Sequence, residues 1–140
     1  MSVLIAKEFH WEMGHRLSYH TEGCQNLHGH SYRAIIELEG EPDEGGMVLD
    51  FGDLAKIVRP ILAEIDHSMM LWQEDKEVIE FLTSQQMKVT RVPFHPTAEN
   101  ISRWLLKQLT AHLKSRQNIA LVRIRLYETA SSVAVVEEKL

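Results

Sequence analysis

The stretch His28-Gly29-His30-Ser31-Tyr32-Arg33-Ala34-Ile35-Ile36-Glu37-Leu38-Glu39 decides how this 140-residue chain folds. Tyr32, Ala34, Ile36 and Leu38 share a parity with His28 and His30, while Arg33, Glu37 and Glu39 take the other. A period of two is that of a half-buried strand. The polar run Glu41 to Gly46 turns the chain out of it. Upstream, Val3 to His15 alternates too: Val3, Ile5, Phe9, Trp11 and Met13 lie opposite Glu8, His10 and Glu12. Lys7 interrupts the pattern, and His15 falls on the apolar parity.

Beyond the turn the period changes. Leu54, Ile57, Val58, Ile61, Leu62 and Ile65 follow helical spacing over Asp53 to Asp66. Asp50 or Asp53 can cap its start. Pro60 lies on the polar side, where a bend spares the buried face. Asp75 to Leu82 reads as a short helix and Lys88 to Val92 as a short strand. Thr97 opens a second main helix with the stripe Ile101, Trp104, Leu105 and Leu109. Ala120 to Glu128 and Ser132 to Val136 read as two closing strands.

This order, β-β-α-α-β-β in its main elements, predicts an α+β fold: an antiparallel four-stranded sheet with two main helices on one face. No linker, repeat or low-complexity tract divides residues 1–140, so one domain is expected. Open sheet edges and an uncovered face favour oligomerisation.

The net charge of -5 argues against a nucleic-acid surface. The single cysteine, Cys24, permits no internal disulfide and fits a reducing compartment. No apolar run reads as a secretion signal or membrane span, so a cytoplasmic protein without a membrane partner is expected.

The histidines carry the chemistry. On a strand, His28 and His30 project to one face, and His15 lies on the inward face of its own strand. If the strands pair as a broad hairpin, the three rings converge. One inward histidine is ordinarily a hydrogen-bonded core residue; three together suit zinc with a fourth position open, the pattern of a catalytic site. His10, His20, His95 and His112 gain no such support. Cys24 reads as a free thiol, a base or nucleophile, or a fourth ligand that would seal the site. Asp66-His67 reads as an oriented acid–base pair or, on spacing alone, as a histidine capping a helix end. Glu99 lies in a first helical turn. Glu128 puts a charge on an apolar parity and needs a partner: Arg123, Arg125 or a ligand.

Several motifs, in order, resemble the 6-pyruvoyl/6-carboxy-tetrahydropterin synthase family. They are Phe9-(five residues)-His15, Cys24-(three residues)-His28-Gly29-His30-Ser31-Tyr32, Gly46-Met47-Val48-Leu49-Asp50-Phe51, Ile65-Asp66-His67, Pro96-Thr97-Ala98-Glu99-Asn100 and Tyr127-Glu128-Thr129. The resemblance implies the tunnelling fold, assembled as a homo-hexamer of two trimers. It implies zinc on His15, His28 and His30. It implies Cys24 as a proton-handling thiolate aided by Asp66 and His67, with Glu128 anchoring a pterin and Glu99 assisting. The short gap from Cys24 to His28 resembles the queuosine-pathway branch. That branch converts 7,8-dihydroneopterin triphosphate to 6-carboxy-5,6,7,8-tetrahydropterin, acetaldehyde and triphosphate, a carbon–carbon lyase reaction. The alternatives are 6-pyruvoyl-tetrahydropterin formation, or zinc and pterin binding without catalysis. The sequence departs from relatives at Ser68-Met69-Met70-Leu71-Trp72 and at Met13-Gly14. Arg16, Lys7 and Arg33 are the candidate triphosphate contacts.

Overall fold

The alternation around the histidines builds two long strands, β1 (Val3–His15) and β2 (His28–Gly40), in a computed structural model that describes residues 1–140. They pair antiparallel without interruption, from Val3 opposite Gly40 to His15 opposite His28. Phe9, Trp11, Met13, Tyr32, Ala34, Ile36 and Leu38 are buried on their inner face. Trp11 and Tyr32 stack there with ring centroids 5.3 Å apart.

Helix α1 (Phe51–Ile65) lies on that face and buries Leu54, Val58, Ile61, Leu62 and Ile65. Asp50 is its cap, accepting from the Asp53 amide at 3.0 Å. Pro60 is exposed, on the polar side. Further along, β3 (Ser68–Trp72), α2 (Lys76–Ser84) and β4 (Val89–Val92) precede α3 (Ala98–Leu113). Thr97 caps α3 through the Asn100 amide. The chain ends in β5 (Ile119–Thr129) and β6 (Ser132–Lys139).

The α+β class and the two main helices on one face match the sequence reading, but the sheet does not have four strands. It has six, in the order β4-β3-β1-β2-β5-β6. It is mixed, since β3 runs parallel to β1 and β4 parallel to β3. The missed strand, β3, is apolar on both faces. Met70 enters the main core, while Leu71 packs with Ile79 and Leu82 of α2 in a second small core. Such a strand shows no alternation. Adjacent strand residues face opposite ways, so α2 covers the face opposite α1 and α3.

β3 meets β1 only from Met13 to His15, which leaves most of β1 an open edge. The outermost strands of the sheet are β4 and β6. No helix is long and apolar enough to cross a membrane.

On the outer face, Glu37 accepts from Arg123 Nη1 and Arg125 Nε, each at 2.9 Å. Burial by itself would raise the Glu37 carboxyl, yet the hydrogen bonds from Arg123 and Arg125 hold it below the usual carboxylate range. A depressed folded value means that the stabilisation is complete above the unfolded value, about pH 4.3. It is lost as pH falls through the lower folded value. Glu37→Gln therefore lowers the melting temperature at neutral pH, and the gap to the parent closes as pH falls below the ordinary glutamate range. Calorimetry across that range checks this; equal melting at neutral pH would show that the network contributes nothing.

Candidate metal and catalytic site

The β1–β2 register places Met13 opposite His30 and His15 opposite His28, all on the helix-covered side. One nitrogen from each of His15, His28 and His30 lies within 4.8 Å of the other two. His15 Nε2 is 3.1 Å from both His28 Nε2 and His30 Nε2. His15 is buried, and the other two rings are half-buried.

Hydrogen bonds on the far sides of the rings fix which nitrogens face each other. His15 Nδ1 donates to the Pro96 carbonyl and His28 Nδ1 to the Asn26 carbonyl, each at 2.7 Å. In neutral imidazoles these bonds place the proton on Nδ1 and turn the Nε2 lone pair inward. Two lone pairs 3.1 Å apart repel unless a cation lies between them. Burial lowers the basicity of His15, a shift the Pro96 carbonyl and Glu128 only partly offset. An extra proton is thus disfavoured where a divalent ion fits. Metal–nitrogen bonds of about 2.0–2.1 Å at a tetrahedral angle put nitrogens about 3.3 Å apart, close to the spacing seen. The three histidines can therefore hold a metal ion, with each fixed ring anchored in the manner of a metal-site second shell. The Tyr32 hydroxyl, 3.5 Å from His15 Nδ1, is kept a neutral phenol by burial.

Glu128 reaches this cluster. Its Oε1 is 2.9 Å from His30 Nε2 and 3.8 Å from His15 Nε2. Of the partners the sequence offers, Arg123 and Arg125 are paired with Glu37 on the other face. The carboxylate lies at the mouth of the centre, where it can face a bound ion or molecule. Cys24 is half-buried in the loop joining β1 to β2, and its carbonyl accepts the Leu17 amide at 2.7 Å. Glu99 is exposed in the first turn of α3, and its side chain makes no hydrogen bond.

Asp66 and His67 lie elsewhere in the chain. Asp66 Oδ1 accepts the Glu12 amide at 2.9 Å and lies 2.9 Å from His67 Nδ1. The backbone bond from Glu12, then the His67 ring, hold the Asp66 carboxyl below its ordinary range. His67 adopts a left-handed backbone, φ 57°, which a side chain takes only when its neighbours enforce it. The Glu12 carbonyl accepts the His67 amide at 2.6 Å, and Lys88 Nζ donates to the Asp66 carbonyl at 2.8 Å. Lys88 Nζ also donates to the Ala63 carbonyl, so the end of α1 is capped by Lys88 rather than by His67 as the spacing suggested. His67 opens onto a cleft of about 530 Å3 whose lining includes Glu12, Gly14, His30, Ser31, Met69 and Lys88. Register puts Glu12, Gly14 and Ser31 on the face away from the three rings. Within one chain no hydrogen bond or ion pair joins Asp66 or His67 to Cys24 or Glu128.

Sequence reasoning missed the carbonyls of Pro96 and Asn26, because backbone acceptors leave no composition signal. It also set His95 aside. The His95 ring packs between Trp72 at 4.4 Å and Tyr19 at 4.8 Å, with Nδ1 buried and unpartnered. Two candidate triphosphate contacts are engaged: Arg16 with Asp75, and Arg33 with Glu8 and the Tyr127 ring.

Residues 4–139 match the profile of the family described as 6-pyruvoyl tetrahydropterin synthase. A Haemophilus influenzae protein named 6-carboxy-5,6,7,8-tetrahydropterin synthase is 34% identical over 142 residues, covering 96% of this chain and 98% of that protein. A protein of the same name from Rickettsia conorii is 37% identical over 132 residues, covering 91% and 94%. The solved 6-pyruvoyl tetrahydropterin synthase of Plasmodium falciparum superimposes with a TM-score of 0.78 at 22% identity, covering 99% of each chain, and shows the shared fold.

The geometry predicts one divalent ion per chain. His15→Ala should reduce metal content from near stoichiometric to near zero while far-ultraviolet dichroism is retained. Elemental analysis of the purified variant checks this; undiminished metal would remove the histidine centre as the binding site.

Proposed function

The chain belongs to the 6-pyruvoyl tetrahydropterin synthase family, and from that premise we propose that it is a zinc-dependent 6-carboxy-5,6,7,8-tetrahydropterin synthase. On this reading it takes 7,8-dihydroneopterin triphosphate and one water to 6-carboxy-5,6,7,8-tetrahydropterin, acetaldehyde and triphosphate. The reaction breaks a carbon–carbon bond in the substrate side chain, and the dihydropterin ring takes up the electrons. The carrying observation is the trio of facing imidazoles beside a carboxylate, in a chain whose Haemophilus and Rickettsia relatives bear that enzyme's name. A cytoplasmic place in queuosine biosynthesis follows from the same reading.

His15, His28 and His30 would hold zinc, which supplies Lewis acidity toward the side-chain hydroxyls of a bound substrate. Cys24 takes and returns a proton at the junction of side chain and ring. Asp66 orients His67, which serves as the second acid–base group. Glu128 accepts the paired N–H donors of the pterin edge, with Glu99 assisting. Stopping at triphosphate elimination would give 6-pyruvoyl-tetrahydropterin instead.

Because no bond joins His67 to the rings, Cys24 or Glu128 of its own chain, a second copy completes the site in this proposal. The open edges of β1 and β6 offer the surfaces for such an assembly, a homo-hexamer of two trimers.

Two experiments test this. Mass spectrometry of products formed from the triphosphate should find acetaldehyde and the 6-carboxy product, both lost on chelation. A 6-pyruvoyl product without acetaldehyde would move the chain to the other branch, and tight pterin binding without turnover would make it a binding module. Separately, Cys24→Ala and His67→Ala proteins should each be inactive with zinc retained. Subunit exchange between them should restore turnover that neither has alone; no recovery would count against a shared site.

A further inference from the structure

The segment between β1 and β2 carries Cys24, and little holds it. Residues 16–27 form no regular element, and Ser18, Tyr19 and Thr21–Gly23 are exposed. Their internal bonds are local: Leu17 amide to Cys24 carbonyl at 2.7 Å, His20 amide to Leu17 carbonyl at 3.0 Å, and Asn26 amide to Gly23 carbonyl at 3.0 Å. Such a loop opens readily unless something outside it fixes its position.

Arg16 supplies the outside anchor. Its guanidinium binds the Asp75 carboxylate with two bonds, Nε to Oδ2 at 2.7 Å and Nη2 to Oδ1 at 3.1 Å. A fork of this kind fixes direction as well as distance. The third arm, Nη1, donates to the Gln25 carbonyl at 3.3 Å, one residue beyond Cys24. Asp75 is only 10% exposed and Arg16 26%, so solvent screens the pair little. One side chain thus joins the end of β1, the residue after Cys24 and the residue before α2. Tyr19 adds a weaker outside contact, edge-on to His95.

We propose that Arg16 and Asp75 are positioning residues that hold the Cys24 loop, and hence its thiol, in place through the forked pair and the Gln25 carbonyl. This deepens the functional reading above and rests on it for its catalytic consequence. It also gives the segment β3–α2–β4 a role, since that segment carries the Asp75 post against which the loop is braced.

The test is a mutant cycle of Arg16→Gln, Asp75→Asn and both together in the zinc-loaded protein. Cys24 is the only cysteine, so iodoacetamide labelling followed by intact mass reports its accessibility without substrate. Each single variant should label about tenfold faster than the parent, and the double variant no faster than the faster single, because the pair acts as a unit. In turnover of 7,8-dihydroneopterin triphosphate, kcat should fall about tenfold with KM within about twofold. Unchanged labelling in both singles, or additive effects, would overturn the proposal. So would an Asp75→Asn protein that behaves as parent while Arg16→Gln raises KM, since Arg16 would then act on the substrate itself. Should Cys24→Ala turn over normally, the functional reading fails, while the labelling cycle still decides whether the pair braces the loop.

Discussion

The antiparallel register of β1 against β2 is the constraint on which the histidine centre depends. Thirteen residues of each strand pair in sequence, so His15 stands opposite His28 and Met13 opposite His30. A slip of one residue would turn one strand's imidazoles to the outer face and expose its apolar residues. The register is therefore held by the core. Phe9, Trp11, Tyr32, Ala34, Ile36 and Leu38 all sit below a tenth exposed, and each fully buried large side chain is worth about 1.5–3 kcal/mol. The centre lies at the end of a packed ladder whose stability comes from residues that never touch it.

The ladder brings three nitrogens together, and backbone carbonyls determine what they can bind. Pro96 and Asn26 each take an Nδ1 proton, which leaves basic nitrogens turned toward one another in a partly dry site. This links distant parts of the chain. Thr97 caps α3 and fixes where that helix starts. That start fixes the preceding Pro96 carbonyl, and the carbonyl fixes the His15 ring. A helix cap thus helps to orient a ring of the histidine centre, through two hydrogen bonds joined by the Pro96–Thr97 peptide.

Much of this was legible in the sequence, and the reasons differ by element. β1, β2 and β5 have one wetter face and one drier face, so polarity records their period, whereas β6 buries no residue fully. α1 and α3 have stripes and caps, and Asp50 and Thr97 serve as side-chain caps. β3 was not legible because Met70 and Leu71 are both buried, in different cores. The three histidines were legible because parity alone sends them to one face. The placement of Glu128 was only half legible: its parity demanded a partner, but choosing His30 over Arg123 or Arg125 required the register of β5 against β2. The separation of His67 from Cys24 could not be read at all, since it depends on how β3 adds to the edge of β1.

That separation bears on how such a site can be completed. His67 is held in a left-handed conformation by Glu12 and Lys88, and Asp66 is tied to the Glu12 amide. No hydrogen bond or ion pair joins either of them to the three rings. Within one chain these bonds fix the pair at the edge of β1 without joining it to the rings. On the proposed reading, that placement becomes useful when an open strand edge brings in another copy whose histidine centre faces it. In that proposal, positioning within each chain and pairing between chains act in sequence: each copy holds its own groups still, and assembly would supply the distance between them.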